Sequence, residues 1–144
     1  MTTRMKFAFW SYFLLMAAVA AWGVGFLFRS EFTPYHSVAV GMPWSEVPAN
    51  FQILILALIK LAGGLWFAFT LCIFVLLFFP FRQGARWAQW AVPLLMLAQY
   101  VAPMPAMILV TANTPATPPW ALPVAGIVFT LVALVVSVTE KRGV

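Results

Sequence analysis

Residues 53–79, ILILALIKLAGGLWFAFTLCIFVLLFF, form a long apolar run that carries one charge, Lys60. Such a run is long enough to cross a bilayer, whose hydrocarbon core takes about 20 apolar residues of helix. Three further runs of this kind lie at 7–28, 88–110 and 121–138. Little of the chain is left to fold in water. It is 65% hydrophobic and 8% charged, which is more apolar surface than a soluble domain of 144 residues can bury. The bilayer must be the solvent. The expected fold class is all-α: an integral membrane, antiparallel four-helix bundle that forms a single transmembrane domain over residues 1–144.

The net charge of +5 excludes little by itself. The basic residues stand in ones and twos at the ends of the apolar runs, where they act as topology signals. A nucleic-acid footprint would need a basic patch or stripe, so no nucleic-acid partner is expected. Placing the N-terminus, the turn at 80–87 and the C-terminus on one side collects Arg4, Lys6, Arg82, Arg86, Lys141 and Arg142. The other side keeps only Arg29, opposed by Glu31 and Glu46. The excess of positive charge on the cytoplasmic side then predicts cytoplasmic N- and C-termini and a multi-pass chain in a cell inner membrane. The basic start and Ala18-Val19-Ala20 resemble a secretory signal. The apolar run continues past that point, however, and exceeds the roughly 7–15 residues of a signal core, so it is read as a retained first span.

Three features shape the connections. The longest, residues 29–52, holds His36, Glu31, Glu46 and three prolines, with Tyr35 and Trp44 as interface anchors. Pro48 is placed to open the second helix and Pro80 to end it. Pro93, Pro103 and Pro105 interrupt the third run, which predicts a kinked helix packed inside the bundle. Small residues recur every four positions on each helix: Ala17, Ala21 and Gly25; Gly64, Ala68 and Cys72; Ala98, Ala102 and Ala106; Ala121, Ala125, Ala133 and Ser137. Membrane helices associate where small residues let backbones approach, so these rows are the expected packing faces.

Lys60 falls on the second of those rows. A lysine at mid-span costs roughly 2.5–3.5 kcal/mol on insertion scales, which makes it a candidate functional residue. Two readings compete. In the first its stem snorkels back to the outer interface. In the second it is a cation in an outward-opening pocket, paired with Glu31 or Glu46, with Gln99, Tyr100 and Trp66 within reach and His36 in the overlying loop. The candidate ligand-binding set is therefore Lys60, Gln99, Tyr100, Glu31, His36 and Glu46.

Other chemistry finds less support. His36 with Glu31 and Glu46 has the composition of a metal site but no ligand spacing, and Met104 with Met107 is commoner as packing than as a copper site. No metal, cofactor or catalytic residue is assigned. The chain has no aspartate to orient a histidine and no nucleophile elbow. Cys72 is expected to be buried among aliphatics and inert.

The segment LIKLAGGLWFAF, followed by a basic turn and WAQWAV, resembles the second and third helices of the DoxX-like proteins, small four-helix bacterial membrane proteins. The likeness spans about a quarter of the chain. It implies a bacterial inner-membrane bundle. It departs where that group often carries an acidic residue before the glycines, since this chain has Lys60, and the first helix lacks the group's usual Arg, Gly and Lys positions. No functional residue, and no quinone-linked sulfur oxidoreduction, is therefore carried over.

The expected function is a non-enzymatic accessory or assembly subunit of a membrane complex, with the lipid bilayer and either other subunits or further copies of the chain as partners. The alternative is a binder of a quinone, lipid or small amphiphile in a pocket around Lys60. Transport ranks below both, because the chain is short and lacks an internal repeat.

Overall fold

The structure, a computed structural model, describes residues 1–139 and is helical, with no strand among those residues. The tail residues Lys141 and Arg142, which entered the orientation argument, lie outside the described residues. Six α-helices follow in order: α1 (Thr3–Leu27), α2 (Pro34–Val40), α3 (Ala49–Leu76), α4 (Arg86–Val101), α5 (Met104–Asn113) and α6 (Ala121–Val138). Four helical segments are long and apolar enough to cross a membrane: Thr3–Leu27, Ala49–Phe81, Arg86–Asn113 and Ala121–Val138. The shortest, α6, spans about 27 Å at 1.5 Å per residue, close to the hydrocarbon thickness.

Local chemistry explains where these segments begin and end. Thr2 caps α1, its hydroxyl accepting from Met5 N at 3.3 Å, so the helix starts at Thr3 rather than at the first apolar residue. Pro48 stands directly before α3, and Gln52 Nε2 holds the preceding turn by donating to Trp44 O at 2.9 Å. Pro80 does not stop its helix. It has no N–H and its ring crowds the preceding turn, and the backbone answers by widening to a π-helical segment, Leu77–Phe81, in which Arg82 N donates to Leu77 O five residues back at 3.2 Å. That widening lets Leu77 and Phe81 both stay fully buried. The turn that follows uses Gly84 at φ +80°, a left-handed position that suits glycine.

The packing is lopsided. α1 lies against α3 and α6, α4 lies against α6, and α3 touches α4 more lightly. One core gathers Phe9, Tyr12 and Met16 of α1, Ile73 of α3, Leu77 and Phe81 of the π-helical segment, Val92 and Met96 of α4, and Ala133 of α6. A second, smaller cluster joins Phe26 and Ile59 to Phe32 and Val47 of the loop at 28–48. The third span breaks at Pro103 into α4 and α5. Only α4 is packed as expected, because α5 has no buried residue and no substantial contact with another helix.

Most of the small-residue rows are out of phase with the packing. Ala21 and Gly25, Ala68 and Cys72, Ala98, Ala102 and Ala106, and Ala121 and Ala125 are all exposed, and only Ala133 and Ser137 are buried. The buried stripe of α3 is Ile59, Gly63, Thr70 and Ile73. The close approach is made one residue earlier than expected, by Gly63 against Gly23. A Cβ on Gly63 would stand 2.6 Å from Gly23 O. Gly126 plays the same part in α6, beneath the Tyr100 ring. The physical reason is that these helices are apolar on every side, so hydrophobicity carries no phase and backbone contact decides it.

Candidate functional site

Lys60 starts from the exposed side of α3, and its Nζ donates to Leu27 O at 2.7 Å. Leu27 is the last residue of α1, where backbone carbonyls lack helical partners and the helix dipole is negative. The ammonium therefore caps the C-terminus of α1. This corrects the expectation that Lys60 turns inward along the row of Gly64, Ala68 and Cys72. Cys72 is likewise exposed on the outer face of α3 rather than buried.

The other candidate residues go elsewhere. Gln99 is buried, and its Nε2 donates to Thr70 Oγ1 at 3.0 Å and to Trp66 O at 3.2 Å, tying α4 to α3. Its Oε1 is buried with no hydrogen-bond partner. Tyr100 is buried against Gly126 of α6, on a different helix from Lys60. Glu31 and Glu46 are exposed, and no described residue forms an ion pair with either. The only local bond at Glu31 is made by its backbone, whose O accepts from Arg29 Nε at 3.3 Å.

His36 has a structural task. Its Nδ1 accepts from Thr33 N at 3.3 Å and lies 2.8 Å from Thr33 Oγ1, so the ring and Thr33 close the first turn of α2. Accepting at Nδ1 places the ring proton of the neutral imidazole on Nε2. Burial and the charge of Arg29 hold His36 below its usual pKa, which favours that neutral form. Burial raises the pKa of neighbouring Tyr35, whose ring centroid is 4.0 Å from the imidazole. Among the described residues no three of His, Cys, Asp and Glu gather as a metal site would need.

The six candidate residues thus divide into a helix cap, an interhelix bond, a packed tyrosine, a loop cap and two exposed glutamates. The structure joins none of them to Lys60 by a hydrogen bond or ion pair among the described residues. Sequence reasoning passed over the buried polar residues on other helices. Tyr12 is fully buried, and its Oη closes no hydrogen bond although it lies beside Ser137, whose Oγ donates to Leu134 O at 2.8 Å. Thr130 is also fully buried and donates to Gly126 O at 2.7 Å within its own helix. Spacing from Gln99 could not have found Thr130 or Ser137, because small hydroxyl side chains satisfied by their own helix look ordinary in sequence.

Comparison of the chain with family models, curated proteins and solved structures finds no match.

Proposed function

We propose that the chain is a non-enzymatic accessory or assembly subunit of a membrane complex, built as an antiparallel four-helix bundle with both termini on the cytoplasmic face of a bacterial inner membrane. One observation supports it above all. The exposed face of α3 carries Ala68 and Cys72, and that of α4 and α5 carries Ala98, Ala102 and Ala106, none of them used for internal packing. Lipid tails are as apolar as leucine, so a surface that meets only lipid gains nothing from small side chains, whereas a surface that meets another helix does. The unpacked α5 adds a second free helical face.

Cys72 supplies the test, since it is the chain's only cysteine and lies on the α3 row. A membrane-permeant bifunctional maleimide applied to native membranes should link Cys72 to a neighbouring subunit. Ala68→Leu should remove that product while leaving the monomer folded. A wild-type chain that purifies from mild detergent as a bare monomer, with no cross-linked species, would refute the assembly role.

The amphiphile reading keeps one support, the partnerless Oε1 of Gln99, which a small ligand's hydroxyl or N–H could satisfy. Lys60→Met should abolish binding of such a ligand if Lys60 belongs to its pocket. Unchanged quinone or lipid binding by Lys60→Met would remove Lys60 from the pocket, and unchanged binding by Gln99→Leu would remove the pocket at Gln99.

A further inference from the structure

At the end of the molecule where α1 begins and α6 ends, a cleft of about 380 Å³ opens between three helices. Its walls include Thr2 and Met5 at the start of α1, Arg86, Gln89 and Trp90 in the first turns of α4, and Ser137 in the last turn of α6. A neighbouring hollow of about 510 Å³ shares Thr2 and Met5 and is closed by Arg82 and the turn at Gly84. Two arginines therefore flank a recess made of two adjoining hollows that share Thr2 and Met5.

Three features of this recess call for an anion. First, Arg82 and Arg86 are exposed and make no hydrogen bond or ion pair with a described residue. The chain has no aspartate; of its three glutamates, Glu31 and Glu46 belong to the loop between α1 and α3, at the opposite end of those helices, and Glu140 lies outside the described residues. Second, α4 starts without a side-chain cap: its cap residue is Ala85, and no acidic residue stands in its first turn. The backbone bonds begin with Ala88 N and Gln89 N on Ala85 O, which leaves the N–H groups of Arg86 and Trp87 without helical acceptors. A 16-residue helix thus presents an uncapped positive end at the recess. Third, Gln89 lines the cleft while only 9% exposed, and its Nε2 meets nothing better than Met5 Sδ at 3.7 Å. A thioether is a weak acceptor, so this buried amide donor is poorly satisfied.

We propose that the recess binds the phosphate of an anionic phospholipid headgroup. Arg82 and Arg86 supply charge-assisted hydrogen bonds, the start of α4 supplies backbone donors, and Gln89 Nε2 turns from the thioether to a phosphate oxygen. Trp90 lines the same cleft and is half-exposed, as is Trp87 beside it. Indole rings concentrate at headgroup level, which places the recess where a lipid phosphate lies and gives the glycerol and upper acyl chain an apolar wall. The proposal rests on membrane insertion and not on the assembly role, so each can fail without the other.

The test uses the full chain in nanodiscs of equimolar phosphatidylglycerol and phosphatidylcholine, released for native mass spectrometry. Wild type should retain phosphatidylglycerol in preference to phosphatidylcholine. The double variant Arg82→Gln/Arg86→Gln should retain it roughly tenfold less or lower still, as expected for two arginines at an anionic surface. Lys6→Gln, which removes a charge at the same end but outside the recess, should retain it as wild type does. Gln89→Leu should lower retention without changing net charge, which a merely diffuse attraction would not do. Equal retention by the double variant, no preference of wild type between the two lipids, or a loss in Lys6→Gln as large as in the double variant would each overturn the site. Displacement of the lipid by excess inorganic phosphate would make the free ion the ligand and overturn the lipid assignment.

Discussion

The two ends of the long helices are built differently. Toward the start of α1, all four spans contribute to one core, and Tyr12, Phe81, Met16, Ile73, Leu77 and Met96 are fully buried in it. Toward the loops, α3 buries only Ile59 and Gly63, α5 buries nothing, and the second cluster depends on Phe32 and Val47 from the connection. Both ends are built from the same apolar spans, so hydropathy along each span does not predict the difference. Backbone continuity does. The π-helical segment carries α3 past Pro80 with its inward side chains in place, whereas Pro103 and Pro105 end α4 and release α5 from the packed interior. A proline absorbed by a widened turn preserves packing, and a pair of prolines at a break forfeits it.

The largest expected effect falls on the glycine contact between α1 and α3. Gly63→Leu must push a side chain into Gly23 O and Phe26 Cβ, and should cost about 3 kcal/mol or more in a denaturant titration of the micellar protein. A Cβ on Gly64 meets only Leu27 Cδ2, at 3.6 Å, so Gly64→Ala should fold as wild type does. Equal damage from the two substitutions would show that the phase of α3 is wrong here. A smaller effect is expected at the side-chain bond between Gln99 and Thr70. Gln99→Leu should change stability by less than about 1 kcal/mol, because the lost bond to Thr70 is offset by removing the partnerless Oε1. A loss of several kcal/mol on the same titration would mean that this amide organises the sparsely packed end.

The third effect is confined to the loop. Burial and the charge of Arg29 depress the folded pKa of His36, and only its neutral ring can accept at Nδ1, so the contribution of this cap is present above the ordinary value of 6.5. It should be lost as pH falls from there through the depressed folded value. Amide protection at 33–41, taken relative to the base-catalysed intrinsic exchange rate at each pH, should fall over that window while protection in α1 and α6 stays constant, and His36→Gln should flatten the response. A fall in protection that begins above the ordinary histidine value would carry the wrong sign and discard the capping role. The smallest change is expected at Gly25, where a Cβ would enter open space. Gly25→Ala should stabilise α1 by about 0.5–1 kcal/mol, measurable as a raised midpoint, and a destabilisation would show a contact at that face.

Particular residues show what could be read in advance. The boundaries of α6 followed directly from its apolar run, because nothing but length and hydropathy sets them. α1 starts four residues before its apolar run, since Thr2 acts through a hydrogen bond and not through hydropathy. The inward burial of Gln99 was legible because an amide in a span seeks a partner, but that partner was Thr70, whose side chain carries no conspicuous signal. Lys60 was legible as an oddity and illegible as a cap, for the acceptor Leu27 O belongs to another helix and has no side-chain signature. The basic turn is legible in sequence only as a topology signal, and nothing in its spacing announces the recess that Arg86 shares with Met5 and Ser137.

The sequence by itself determined that this is an all-helical chain with four membrane-length apolar segments, because the requirement is one of sums over windows: enough apolar residues in a row and few charges among them. Only the tertiary structure decided which side of each helix faces inward and what each polar group holds. In uniformly apolar helices that choice turns on contacts of a few ångströms between backbones, as Gly63 meets Gly23, and no one-dimensional pattern records them.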